Sequence, residues 1–325
     1  MSTRKKFFLI GGLVFLVLLL LLCCCVFFYW IFNISLTSIT DTQLLEQGDS
    51  SQVVAVIDVK DIITSTPTTD FWGTQTPDMV TRITEKIKRA AEDDNVKAVI
   101  FRIDSPGGEV YATKQIYNEI LELKNKGKKV VALMQSMAAS GAYYLAAPAD
   151  KIIASDSTIT GSIGVVFSSL DITGLYEKIG IKEITVVNSE GKLKVLSDLM
   201  NEDSEGYKLL QGVADDIYDS FIDVVAKGRK KTVDQIKKLA DGRIYSGKDA
   251  QANGLVDSLG EEKEARSAAA QLASLDNPTY ILYEDNQDLG SIYGFSLLQI
   301  LKPELSALKQ IKPGIYAYYL MSAQY

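Results

Sequence analysis

The chain has 325 residues, 47% of them hydrophobic and 23% charged, which is the composition of a globular protein with a sizeable core rather than of a disordered one. Its formal net charge of −7 excludes the clustered basic face that nucleic acid binding requires. There is no histidine, and the three cysteines are contiguous at 23–25, so histidine triads, Cys-His dyads, histidine zinc sites, thiolate nucleophiles and Cys-based metal sites are all excluded from the bulk of the chain.

In chain order, Arg4, Lys5 and Lys6 precede an apolar run over residues 7–32 that carries no charge before Asp41. Some 26 residues of helix at about 1.5 Å each exceed a hydrocarbon core of ~30 Å, and no small-x-small cleavage site follows, so the run is predicted to be an uncleaved transmembrane anchor. The basic residues keep positions 1–6 in the cytoplasm and place the rest outside, with Tyr29 and Trp30 at the outer interface. Residues 33–52 are polar and aperiodic and read as a linker.

Beyond the linker, β-branched runs alternate with helical periods. VVAVIDV (53–59), KAVIFRI (97–103), KKVVALM (128–134) and KIIAS (151–155) read as strands. Residues 78–93 and 110–126 read as helices, and a helix of small residues lies before 151. The pattern predicts a mostly parallel α/β core. Residues 205–240 read as helical, as do DAQANGLVDSLG and EEKEARSAAAQLASL. The core spans 53–275, and 276–325 is an aromatic, apolar extension predicted to pack on the core or on a neighbouring subunit.

Three stretches follow strands and could carry chemistry. Asp104-Ser105-Pro106-Gly107-Gly108 can aim backbone N–H groups at one point, as an oxyanion hole needs, although alone it reads as a tight turn. Ala138-Ala139-Ser140-Gly141-Ala142 sets a serine at a strand-to-helix turn, where a helix N-terminus favours developing negative charge. The competing reading makes Ser140 an ordinary helix cap, and Ser136 is a weaker alternative nucleophile outside the glycine-flanked turn. Thr160-Gly161-Ser162-Ile163-Gly164 reads, by itself, as a bend against another backbone.

A serine hydroxyl needs a base, and without histidine that base is a desolvated lysine. Bringing a lysine from ~10.4 to ~7 amounts to about 4.6 kcal/mol of differential interaction, so the amine must be buried. Asn188 to Leu196 supplies two candidates, Lys192 and Lys194, which alternation puts on one face and so leaves undistinguished. Ser189 and Lys192 also spell S-x-x-K, but in a Glu-Gly turn rather than at a helix start, and this reads as coincidence.

Taken in order, IDSPGGEV, AASGAYYLAAPADKIIA, TGSIGVV, KGR at 227–229, ADGRIYSGKDAQANGLVDSLG and a tail ending in tyrosines resemble the short form of the signal peptide peptidase A (protease IV) family over nearly the whole chain. The resemblance implies a Clp protease/crotonase-like spiral core of repeated β-β-α units behind one transmembrane helix. It implies Ser140 as nucleophile, Lys194 as general base through Gly191-Lys192-Leu193-Lys194, and Ser162 as the residue that orients the lysine. Gly107 or Gly108, with the Gly141 amide, would form the oxyanion hole. The chain departs from the family pattern in Glu190 and in Val195-Leu196 after the lysine. No cofactor or metal is implied. The implied assembly is a ring-shaped homo-oligomer with active sites shared between subunits, acting on remnant signal peptides and other small apolar peptides at the outer face of the membrane. Other classes compatible with the pattern are a stomatin-partner type of Ser-Lys protease, a crotonase-like acyl-CoA enzyme and a non-catalytic membrane scaffold of the same fold.

Overall fold

The computed structural model describes residues 19–27, 42–69, 75–182, 184–195, 199, 201–285 and 316–320. Two compact units divide the chain, Met1–Gln43 and Leu44–Tyr325. In the first, residues 19–27 form a helix, α1. It covers about 13 Å of helix axis, and most of the expected anchor at 7–32 lies outside the described residues. Among those residues no helix is long and apolar enough to cross a membrane.

The strands in chain order are β1 (Thr42–Glu46), β2 (Asp49–Lys60), β3 (Thr68–Thr69), β4 (Gln75–Thr76), β5 (Val96–Ser105), β6 (Gly107–Glu109), β7 (Lys129–Ala139), β8 (Lys151–Ala154), β9 (Ile159–Gly161), β10 (Val166–Ser168), β11 (Ile244–Ser246), β12 (Ser258–Leu259), β13 (Pro278–Tyr283) and β14 (Tyr316–Leu320). The helices after α1 are α2 (Met79–Glu92), α3 (Val110–Asn125), α4 (Gly141–Ala146), α5 (Thr173–Ile179), α6 (Glu205–Arg229), α7 (Val233–Lys237), α8 (Gly247–Ala252) and α9 (Glu262–Ala273).

A nine-stranded sheet runs β1-β13-β2-β5-β7-β8-β12, with β9 joining β7 and β11 joining β9. The pairs β13–β2, β2–β5, β5–β7, β7–β8, β8–β12 and β7–β9 are parallel, as the strand-helix alternation predicts. Its strands read as continuous apolar runs because both faces are covered. Successive side chains go to opposite faces. Val53, Ala55, Ile57, Val99, Phe101 and Ile103 enter the larger core with α2, α3, α4 and α6. Val54, Val56, Ala98, Ile100, Val131 and Leu133 pack on the other face against Ala265, Ala268 and Ala269 of α9.

The long strand β7 changes partners along its length. Val131–Met134 pair with β8, and Met137–Ala139 pair with β9. The sheet therefore divides just before Ser140, and the end of β7 stands between β5 and β9.

Three local readings differ from the pattern in the sequence. The helical stretch 205–240 is two helices, because Lys230 turns into the left-handed region (φ 53°) and Thr232 caps the next helix with a capping box. In 249–260 the helix stops at Ala252, since Asn253-Gly254 turns the chain (Gly254 φ 72°) into β12. Finally, 42–52, read as linker, carries β1 and the start of β2 and so belongs to the sheet, in which 278–283 of the extension forms β13 beside β2.

Candidate active site

The ends of β5 and β7 bring the first two motifs together. Ser105 pairs with Ala138 after a register shift, and Asp104 Oδ1 accepts from the Met137 amide at 3.0 Å. The chain then turns through Pro106 into β6. Gly107 adopts φ 102°, a conformation that glycine tolerates at no steric cost. Its amide donates to the buried Ser105 Oγ at 3.1 Å, so it is committed within the loop.

Gly108 lies directly against a strap, residues 61–65, that follows β2. A Cβ built on Gly108 would stand 1.9 Å from the Ile63 carbonyl oxygen, so only glycine fits. Ile63 N donates to Gly107 O and Glu109 N donates to Ile63 O, each at 2.8 Å. The Glu109 carboxylate in turn accepts from Thr64 Oγ1, Ser65 N and Ser65 Oγ.

Ser140 occupies the turn between β7 and α4 with φ 54° and ψ −119°, a strained backbone for a residue with a Cβ. Its amide donates to Gly161 O at 2.8 Å, and its carbonyl accepts from Tyr144 N at 2.9 Å. The side chain is 0% exposed, does not cap α4, and its Oγ has no hydrogen-bond partner among the described residues. The ordinary-cap reading of Ser140 is thus not what the geometry displays. A buried hydroxyl left unpaired costs about 1–3 kcal/mol, and such groups concentrate where chemistry is done. Ser136, by contrast, is exposed on β7.

Helix α4 is fixed from behind. Tyr143 donates to Leu255 O at 2.9 Å, and burial pushes its hydroxyl pKa far up, so it remains a donor. Tyr144 packs on Tyr117 and Phe221 with ring centroids 5.0 and 5.1 Å away. Ser162 follows β9 and is buried with φ 48°. Its amide donates to Arg243 O at 2.8 Å, and the preceding Gly161 pairs with Ala139. Ser105, Gly107, Gly108, Ser140, Gly141 and Ser162 therefore come from adjoining strand ends.

Lys194 makes no hydrogen bond to Ser140 Oγ among the described residues. It ends a 3₁₀ turn, Lys192–Lys194, and is exposed. The segment leading to it is an arm whose helix, α5, buries no residue, and whose Leu170, Ile184 and Val186 are 88%, 87% and 89% exposed.

A further strand lies across the site. β14 pairs antiparallel with β6, setting Leu320 opposite Gly107 and Tyr319 opposite Gly108, and antiparallel with β10 on its other edge. A cavity of about 430 Å³ between α3, the segment after α4 and α6 is lined by Lys124, Asp150, Lys227 and Arg229, and by none of Ser105, Gly107, Gly108, Ser140, Gly141 and Ser162. Among the described residues there is no cluster of acidic or cysteine side chains able to hold a metal. The strap and Glu109 escaped the sequence reading because nothing in 61–65 indicates that it folds back onto 107–109.

The model of peptidase family S49 matches residues 122–276, and that of Clp protease matches residues 54–158. A protein of Enterococcus faecium described as "Putative signal peptide peptidase SppA" is 35% identical over 245 residues, which are 75% of this chain and 70% of that one. "Protease 4" of Salmonella typhi is 36% identical over 255 residues, 78% of this chain but 40% of the relative. "Serine protease SPPA, chloroplastic" of Arabidopsis thaliana is 39% identical over 199 residues, 60% of this chain and 28% of the relative. The parallel sheet agrees with a Clp protease-like fold. On these matches the chain belongs to peptidase family S49, among the signal peptide peptidase A and protease 4 proteins, and is a serine peptidase.

Proposed function

We propose that this serine peptidase cuts apolar peptides, remnant signal peptides among them, at the outer face of the membrane, with Ser140 as nucleophile and Lys194 of a neighbouring copy as base. The observation that carries this reading is the pairing of two incomplete halves. Ser140 has a strained backbone and a buried Oγ without a hydrogen-bond partner among the described residues, while Lys194 rides on an arm whose apolar side chains are exposed. Docking that arm on a second copy would bury Leu170, Ile184 and Val186, and would desolvate the lysine as a neutral amine requires. A ring of such copies repeats one head-to-tail contact.

In this mechanism Lys194 Nζ takes the Ser140 proton as Oγ attacks the scissile carbonyl, and Ser162 holds the amine toward Oγ. The tetrahedral oxyanion is met by the Gly108 and Gly141 amides once a peptide takes the place of β14, whose Tyr319 stands opposite Gly108; the Gly107 amide is already spent on Ser105. The protonated lysine then gives its proton to the leaving amine, and water, deprotonated by the same lysine, releases the acyl group. An extended peptide would pair along β6 and β10, in the manner that β14 does. The spiral of repeated β-β-α units belongs to the same reading, supported by the exchange of β8 for β9 along β7. So does a membrane anchor at 7–32 with its N-terminus in the cytoplasm, supported by the charge asymmetry of the sequence.

The test is labelling of the detergent-solubilised protein with a fluorophosphonate, followed by peptide mapping. The adduct is expected on Ser140 and is expected to be absent in Ser140→Ala. An adduct on another serine, or undiminished peptidase activity in Ser140→Ala, would refute the assignment.

A further inference from the structure

Glu109 stands at the N-cap of α3, yet its carboxylate makes no capping bond to that helix. It crosses instead to the strap after β2. Thr64 Oγ1 donates to Oε1 at 2.9 Å, and Ser65 Oγ and Ser65 N donate to Oε2 at 2.6 and 3.1 Å. Apart from a local bond from Thr66 N to Thr64 Oγ1 at 3.1 Å, the side-chain hydrogen bonds of Thr64 and Ser65 among the described residues end on this carboxylate. One residue earlier, Ile63 is bonded on both sides of Gly108, through its N to Gly107 O and through its O to Glu109 N. The 1.9 Å separation from Ile63 O to a Cβ built on Gly108 means that the strap and this glycine cannot shift independently.

We propose that Glu109 is a positioning residue for catalysis. By holding Thr64 and Ser65 it locks Ile63 against Gly108, and so fixes the direction of the Gly108 amide toward the oxyanion. This rests on the reading of Gly108 as an oxyanion donor beside Ser140. Glu109 does not touch the reacting atoms, and its removal should act on the rate of chemistry rather than on peptide binding. A donor swung off line by even ~1 Å costs on the order of 10²-fold in rate.

The experiment uses the full-length protein in detergent, with Glu109→Ala, Glu109→Gln, the pair Thr64→Val/Ser65→Ala, and all three sites combined. Hydrolysis of a quenched apolar peptide gives kcat and KM, and a fluorophosphonate gives the rate of Ser140 labelling. Glu109→Ala is expected to lower kcat roughly 10- to 100-fold with KM within about 3-fold. Glu109→Gln keeps an acceptor for Thr64 and should recover part of that loss. Thr64→Val/Ser65→Ala should reproduce the loss, and adding it to Glu109→Ala should cost no more than about 2-fold further, because both break the same link. A kcat within about 2-fold of wild type in Glu109→Ala, or losses that multiply in the combined variant, would overturn the proposal. Should Glu109→Ala not fold, Thr64→Val/Ser65→Ala decides alone, since those side chains sit at the surface end of the strap. If wild-type protein is not labelled at Ser140 at all, the underlying active-site reading fails. If it is labelled and Glu109→Ala is labelled equally fast, only the positioning role fails.

Discussion

Replacing Gly108 by alanine isolates the contact on which the site geometry turns. The added Cβ would lie 1.9 Å from Ile63 O and 2.6 Å from Ile63 N and C. Real Cβ contacts do not fall below 3.0 Å, so the strap and β6 must part by more than 1 Å. Ile63 cannot retreat freely, because its side chain is fully buried and its N and O are each bonded at 2.8 Å to Gly107 and Glu109. Opening the gap loses both bonds, at about 1 kcal/mol each, and adds about 1–3 kcal/mol of overpacking. The lower entropy of alanine in the unfolded chain returns about 0.4–1 kcal/mol. The net is a destabilisation of roughly 2–4 kcal/mol, with kcat reduced on the order of 10²-fold as the Gly108 amide moves off line. Urea unfolding and peptide hydrolysis at saturation measure the two effects. The control is Gly212→Ala on α6, where a Cβ meets nothing within 4 Å. There the same substitution should stabilise by about 0.5–1 kcal/mol through helix propensity. A Gly108→Ala protein within ~0.5 kcal/mol and ~2-fold of wild type would refute the reasoning that strap and loop are one rigid unit.

Ser140→Gly removes both the proposed nucleophile and the strain at φ 54°, ψ −119°; it should abolish hydrolysis yet raise thermal stability relative to Ser140→Ala by about 1 kcal/mol, measured by calorimetry. Lys194→Ala should inactivate as fully as Ser140→Ala and Lys192→Ala should be mild; an active Lys194→Ala enzyme with a dead Lys192→Ala enzyme would reassign the base. Asp58 offers a stability titration. Burial alone would raise its carboxyl, but Arg102, with bonds of 2.5 and 2.9 Å, and Lys60 at 2.8 Å outweigh burial and hold it below the ordinary range. A lowered folded pKa means that its stabilisation is present above about pH 4 and is lost as pH falls through the folded value, so the melting-temperature deficit of Asp58→Asn at neutral pH should shrink toward pH 3.

The parts of this molecule legible in the sequence are those written in local periodicity. The strands 53–59, 97–103 and 128–134 announce themselves because burial on both faces demands unbroken apolar runs, and Ser140 stands out because small residues crowd a strand-to-helix turn. What the sequence did not disclose depends on partners far along the chain. Glu109 reaches Thr64 and Ser65 across more than forty residues, and β13 finds β2 across more than two hundred. Lys194 illustrates a different limit: the alternation of residues 188–196 does not separate it from Lys192, and the folded chain leaves it exposed, with no hydrogen bond to Ser140 Oγ among the described residues.

The shared active site is tested most directly by mixing two dead enzymes. Ser140→Ala and Lys194→Ala chains, carrying different affinity tags, are co-expressed and purified through both tags so that only mixed assemblies are assayed. If each site takes its serine from one copy and its lysine from the next, random mixing in a ring restores about one quarter of the sites, and hydrolysis of an apolar peptide returns to about a quarter of the wild-type rate. Mixed assemblies that stay as inactive as either parent would contradict the sharing of Lys194 between copies.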